Sequence, residues 1–188
     1  MAKQKILTAL LMILSILSAA GCLGNSSKKP AWAGEVNWQG DPPPEKEKLE
    51  QTLWSQITPY KTSYNSVNIT SKKQGDTFKL RVVGNAAEGV DIYEFNYHPD
   101  RGLIRTGYLL EAIPPREREN AIATALGNTN IIQARPTGTP TVHRILPDTA
   151  EKYYTPKTLL SVTWPGTSAL IDPEEMQVVK TWKSETTQ

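Results

Sequence analysis

The sequence predicts an α+β fold made of two halves, each a helix followed by an antiparallel meander. Three observations predict it: two stretches with helical apolar spacing that open on proline runs, a series of short strand-like segments divided by turn residues, and a closing pattern that occurs twice.

The first helix is expected to begin near Pro44. Asp41 and the run Pro42-Pro43-Pro44 precede Glu45, Glu47 and Glu50, and acids near a helix start complement its dipole. Leu49, Leu53, Trp54 and Ile57 then recur at helical spacing, and Pro59 ends the run. Strands are expected over 66–71, 77–83, 91–97 and 103–110. The run Lys72-Lys73-Gln74-Gly75-Asp76 is a natural hairpin turn, and so is His98-Pro99-Asp100-Arg101-Gly102, where proline presets one dihedral and glycine permits the other. The second helix opens at Pro114-Pro115 and runs over 116–126, with Ala121, Ile122, Ala125 and Leu126 on one face and Gly127 placed as its C-terminal cap. Strands are expected near 141–146, 158–164, 168–171 and 176–183.

The two halves end alike. Pro99-Asp100 leads through Leu103-Ile104, Arg105 and Thr106 to Tyr108, while Pro173-Glu174 leads through Val178-Val179, Lys180 and Thr181 to Trp182. Proline and final aromatic are nine positions apart in both. Either the chain carries an internal duplication, or two similar hairpins arose independently from the small menu of turn chemistry.

The N-terminal residues set the expected location. Lys3 and Lys5 precede an uncharged, mostly apolar run from Ile6 to Ala20, too short to favour an ordinary spanning helix. It exits through Leu17-Ser18-Ala19-Ala20-Gly21-Cys22. This resembles the lipobox of prokaryotic lipoproteins, matched at Ala20, Gly21 and Cys22, with Ala19 where leucine is commoner. The resemblance implies cleavage between Gly21 and Cys22, with diacylglyceryl on the Cys22 thiol. Cys22 is the sole cysteine, so an internal disulfide is excluded. Two acyl chains would hold stably where one is marginal.

The expected organisation is therefore a lipoprotein signal peptide over 1–21, a lipidated cysteine and flexible tether over 22–44, a first half over 45–113 and a second over 114–188. Gly, Ser, Asn and Pro dominate the tether. Trp32, Val36 and Trp38 interrupt it, and either pack on the body or rest among lipid headgroups. Lys28 and Lys29 can assist at an anionic surface. Loss of Lys3 and Lys5 reduces the 21 Lys and Arg to 19, against 19 Asp and Glu, so the mature side chains balance and nothing points to nucleic acid.

A helix, a meander and an acid-bearing last hairpin together resemble the PepSY and cystatin-like group. The matching residues are Asp172 to Val179, and Asp100 to Ile104 with Gly102. The resemblance implies an extracytoplasmic binding or inhibitory module. The Gln-x-Val-x-Gly signature of cystatin-type protease binding is missing; Gln133-Ala134-Arg135 does not supply it.

The sequence contains no catalytic constellation. Its two histidines, His98 and His143, fall in a turn and on the polar side of a strand, and no Gly-x-Ser-x-Gly elbow or glycine-rich phosphate loop occurs. Neither a cofactor nor a metal site is expected, although Asp172, Glu174 and Glu175 form a turn whose carboxylates suit a hard cation. Arg116 and Arg118, alternating with Glu117 and Glu119, read as a solvated helix start. Asn68-Ile69-Thr70 is a glycosylation sequon, meaningful if the chain is archaeal. The aromatic stripe Tyr93, Phe95 and Tyr97, with Tyr108 on the next strand, reads as a core or sheet face and, if exposed, is the first candidate binding surface.

The functional expectation is a binding or interaction module, lipid-anchored through Cys22 to a membrane's extracytoplasmic side, with a protein, peptide or glycan partner. The alternatives are a carboxylate-dependent hydrolase or transferase at the cell surface, and a structural envelope component.

Overall fold

The computed structural model describes residues 29–150 and 156–183. Its elements run β1 (Ala33–Gly40), α1 (Lys46–Gln56), β2 (Tyr64–Gln74), β3 (Thr77–Ala86), β4 (Gly89–His98), β5 (Gly102–Leu110), α2 (Pro115–Leu126), α3 (Thr129–Ala134), β6 (Thr141–Ile145), α4 (Pro147–Ala150), β7 (Leu159–Trp164), β8 (Thr167–Asp172) and β9 (Gln177–Lys183). No helix among the described residues is long and apolar enough to cross a membrane.

The α+β expectation of two equivalent helix-plus-meander halves, cystatin- or PepSY-like, is corrected. The described chain is 48% strand and 22% helix, forming two antiparallel-rich sheets in a β-sandwich-like fold. One sheet has five strands in the order β1-β2-β3-β4-β5 and the other has four, β6-β7-β8-β9. The short helices α3 and α4 come only after α2, and β1 enlarges only the first sheet.

β1 is the main cause of the difference. It lies inside the segment expected to be a tether, and it pairs in parallel with β2, Val36 opposite Val67 and Trp38 opposite Ile69. A parallel neighbour needs a crossover connection, and α1 supplies it. Gly34 permits the close approach: a Cβ there would sit 2.1 Å from the Asn65 carbonyl oxygen. Trp32, Val36 and Trp38 pack on the body's core, which settles the alternative left open by the sequence. Trp32 meets Trp54 edge-on at 5.7 Å and Tyr64 at 5.8 Å.

α1 buries Leu49 and Leu53 against the inward face of the five-stranded sheet, where Val67, Ile69, Phe78, Leu80 and Val82 alternate with outward polar residues. Each fully buried side chain of this size contributes about 1.5–3 kcal/mol. A second core joins α2 and α3 to β6, β7 and β8 through Ala121, Ala125, Ile131, Leu160, Val162 and Ile171. Gly127 caps α2 with its N–H on the Ala123 and Ala125 carbonyls, but at φ −75 it stays right-handed, and the chain turns at once into α3 under the Asn128 side-chain cap.

Candidate functional site

The proposed aromatic surface is corrected first. Tyr93, Phe95 and Tyr97 are buried, Tyr93 completely, because they occupy the face of β4 that α1 covers. Tyr93 and Phe95 stack at 6.4 Å. Tyr108 is half-buried; its hydroxyl accepts from the Leu146 N–H at 3.3 Å, and Arg105 lies over its ring. The period-two reading was right, but the aromatic side is the core.

The same face carries a buried charge network. Asp91 on β4 and Arg144 on β6 are 0% and 3% exposed. Arg144 Nη2 donates to Asp91 Oδ2 at 3.2 Å and to the Tyr93 hydroxyl at 2.8 Å, while Nη1 donates to the Thr58 carbonyl. The Tyr64 hydroxyl donates to Asp91 Oδ2 at 2.6 Å, and the Ala112 N–H to Oδ1 at 2.9 Å. Burial pushes the Asp91 carboxyl above the usual carboxylate range, against the opposing pull of Tyr64, Arg144 and Ala112. Burial also raises the Tyr64 and Tyr93 hydroxyls, keeping them protonated. The network joins one sheet to the other, with both charged groups buried and hydrogen-bonded to the chain's own groups. Sequence reading missed it because its charged partners lie 53 positions apart; the faint signal was Arg144 sharing a strand face with Val142.

The remaining sequence candidates are accounted for locally. Asp172 Oδ1 accepts the Glu174 and Glu175 N–H groups at 2.9 and 3.1 Å, and Oδ2 takes Lys157 Nζ at 3.1 Å. Burial alone would raise its pKa, but the two amides and Lys157 outweigh that and the net direction is down. Lys157 also pairs with Glu175 at 2.7 Å, so this turn is internally satisfied. His98 accepts the Asp100 N–H in its turn, and His143 contacts Glu111 at 2.9 Å. Arg118 is not merely solvated, since Nη2 donates to the Glu88, Glu111 and Ile113 carbonyls. Lys29 Nζ donates to the Gly34 carbonyl rather than standing clear of the body. Asn68 lies on the outward face of β2, half-buried, with Asn37 Nδ2 at 3.4 Å. Cys22 and Gly21 lie outside the described residues. Among the described residues, no group of three or more His, Cys, Asp and Glu stands close enough to hold a metal ion.

The candidate site lies on the outward face of the five-stranded sheet. A groove of about 490 Å³ there is lined by Thr70 and Lys72 of β2, Lys79 and Arg81 of β3, Glu94 of β4 and Thr106 of β5, among others. Strand alternation puts these side chains opposite the apolar ones, and the register sets Lys72 beside Lys79, then Thr70, Arg81 and Glu94 in one row. The ladder slips between Glu94 and Phe95, a bulge that bends the sheet locally. The sequence signal was present in the polar members of each alternating strand, but nothing local shows that this face stays uncovered. A second cleft of about 670 Å³ opens at the sheet's end, between Pro42-Pro43-Pro44 and the two hairpins carrying Asp76 and Asp100. Comparison with family models, with curated proteins and with solved structures finds no match for this chain.

Proposed function

We propose that the chain is an extracytoplasmic lipoprotein whose body binds a partner close to the membrane that anchors it. The observation that carries this reading is the N-terminal pattern, Lys3 and Lys5, an apolar run, and Ala20-Gly21-Cys22. The fold supports a body held near the lipid. β1 begins at Ala33, eleven positions after Cys22, and a chain of that length reaches at most about 40 Å at roughly 3.3–3.6 Å per residue. The groove on the outward sheet face supports binding, because its cations Lys72, Lys79 and Arg81 make no ion pair among the described residues.

The test is capture from native membranes with the full-length lipidated chain, beside a Cys22→Ala chain. The reading expects one specific protein, peptide or glycan to be enriched with the lipidated form and depleted with the variant. Equal recovery with both forms, or no specific partner with either, overturns it.

A further inference from the structure

We infer that the groove on the outward face of the five-stranded sheet is a binding site for an acidic polysaccharide. This rests on the binding-module reading and names its ligand class. Lys72, Lys79 and Arg81 are exposed, and among the described residues none of them makes an ion pair. Lys72 and Lys79 are direct cross-strand partners, an arrangement in which like charges destabilise a sheet. Lysines commonly guard sheet edges, and Lys72 lies one position past the end of the β1–β2 pairing at Gly40 and Ser71, but Lys79 and Arg81 are paired on both sides in the third of five strands, so edge protection does not explain those two.

The one acid in the groove does not cancel them. Glu94 is in register with Arg81, yet its Oε2 lies over Gly107, 3.5 Å from where a Cβ of that residue would be. Glycine at this position on β5 gives the carboxylate somewhere to lie other than against the guanidinium. Arg81 keeps its planar donor fork, which matches a carboxylate or other oxyanion in two-point geometry. Thr70, Thr106 and Asn96 add neutral hydroxyl and amide groups, and Glu94 adds an acceptor suited to sugar hydroxyls. Ile104, 58% exposed and in register with Asn96, offers an apolar surface at the flank for the C–H face of a sugar ring. Cations paired with neutral donors and an apolar shoulder fit a chain that alternates charge with hydroxyls, and the open, elongated face suits a polymer better than an enclosed small molecule.

The test titrates the full chain in detergent with oligogalacturonate, and with a neutral malto-oligosaccharide of equal length, by calorimetry. The acidic oligomer is expected to bind at least tenfold more tightly than the neutral one, and to weaken as salt rises. A Lys72→Gln/Lys79→Gln/Arg81→Gln chain is expected to lose at least tenfold, with its urea midpoint held or raised and with Lys46→Gln as a control whose affinity is unchanged. Equal affinity for the two oligomers, or undiminished binding by the triple variant, overturns the proposal. So does binding to anionic phospholipid vesicles in place of the oligosaccharide. If the oligomer fails while membrane capture yields a different specific partner, the polysaccharide assignment falls and the binding-module reading stands.

Discussion

Replacing Arg144 with methionine should be among the most damaging single changes in the molecule. The side chain is 3% exposed and donates to Asp91, to the Tyr93 hydroxyl and to the Thr58 carbonyl. Methionine fills much of the volume but removes the one cation beside the Asp91 carboxyl, leaving it the Tyr64 hydroxyl and backbone N–H groups. Removing one partner of a buried pair costs about 3–5 kcal/mol, because the remaining charge is stranded. Against a stability of roughly 5–15 kcal/mol, that is about a fifth of the total or more. With a urea slope of about 2 kcal/mol per molar, the midpoint should fall by about 2 M. The loss should shrink as pH falls. Burial already holds the Asp91 pKa above its unfolded value, and without Arg144 it rises further, so protonation relieves the variant at acidic pH. An Asp91→Asn/Arg144→Met chain, which buries no charge, should recover most of the deficit. Urea unfolding followed by tryptophan fluorescence at pH 7.5 and pH 4.5 measures all three. A loss under about 1 kcal/mol for Arg144→Met, or a double variant no more stable than Arg144→Met alone, would refute the reasoning.

Three further outcomes follow from the packing and the turns. Gly84→Ala should lose about 1–3 kcal/mol, since its Cβ would sit 2.7 Å from the Tyr64 ring that holds Asp91; a midpoint unchanged in urea contradicts the tight contact. Leu53→Ala, at a fully buried position of α1, should lose about 2–5 kcal/mol in the same assay, and a loss below 1 would mean that α1 does not seal the sheet. Asp172→Asn should destabilise at neutral pH but converge with the wild type in acid. The native pKa of Asp172 lies below its unfolded value, so its contribution is present above the ordinary carboxylate range and is lost as pH falls through the lowered value. Parallel urea midpoints at pH 7 and pH 3 check this, and a gap that stays constant contradicts it.

The strands and main helices were legible because their signals are local. The turns at Gly75 and Gly102, where φ is 60 and 82, mark two of the three hairpins of the first sheet, and the run 91–97 alternates as the observed β4 does. The expected strand 66–71 stops short of β2 because Lys72-Lys73-Gln74 looks like turn chemistry, yet these residues pair with Thr77-Phe78-Lys79. β1 was missed because glycines and prolines surround it and its pairing with β2 is parallel and 31 positions distant. The alternation Glu35-Val36-Asn37-Trp38-Gln39 was its only local trace. Once β1 joins the sheet, the body carries more strand than the helix-plus-meander pattern allows. The candidate site was illegible for a related reason. Alternation identifies two faces, but only tertiary packing decides that α1 covers Tyr93 and Phe95 and leaves Lys79 and Arg81 open.

The central claim, that this body works on the outer side of a membrane to which lipid holds it, is tested most directly by the intact mass of the membrane-extracted protein. The account predicts a mass matching a chain that begins at Cys22 and carries a diacylglyceryl group, with both features lost in a Cys22→Ala chain. An uncleaved, unmodified mass in the wild type would contradict it.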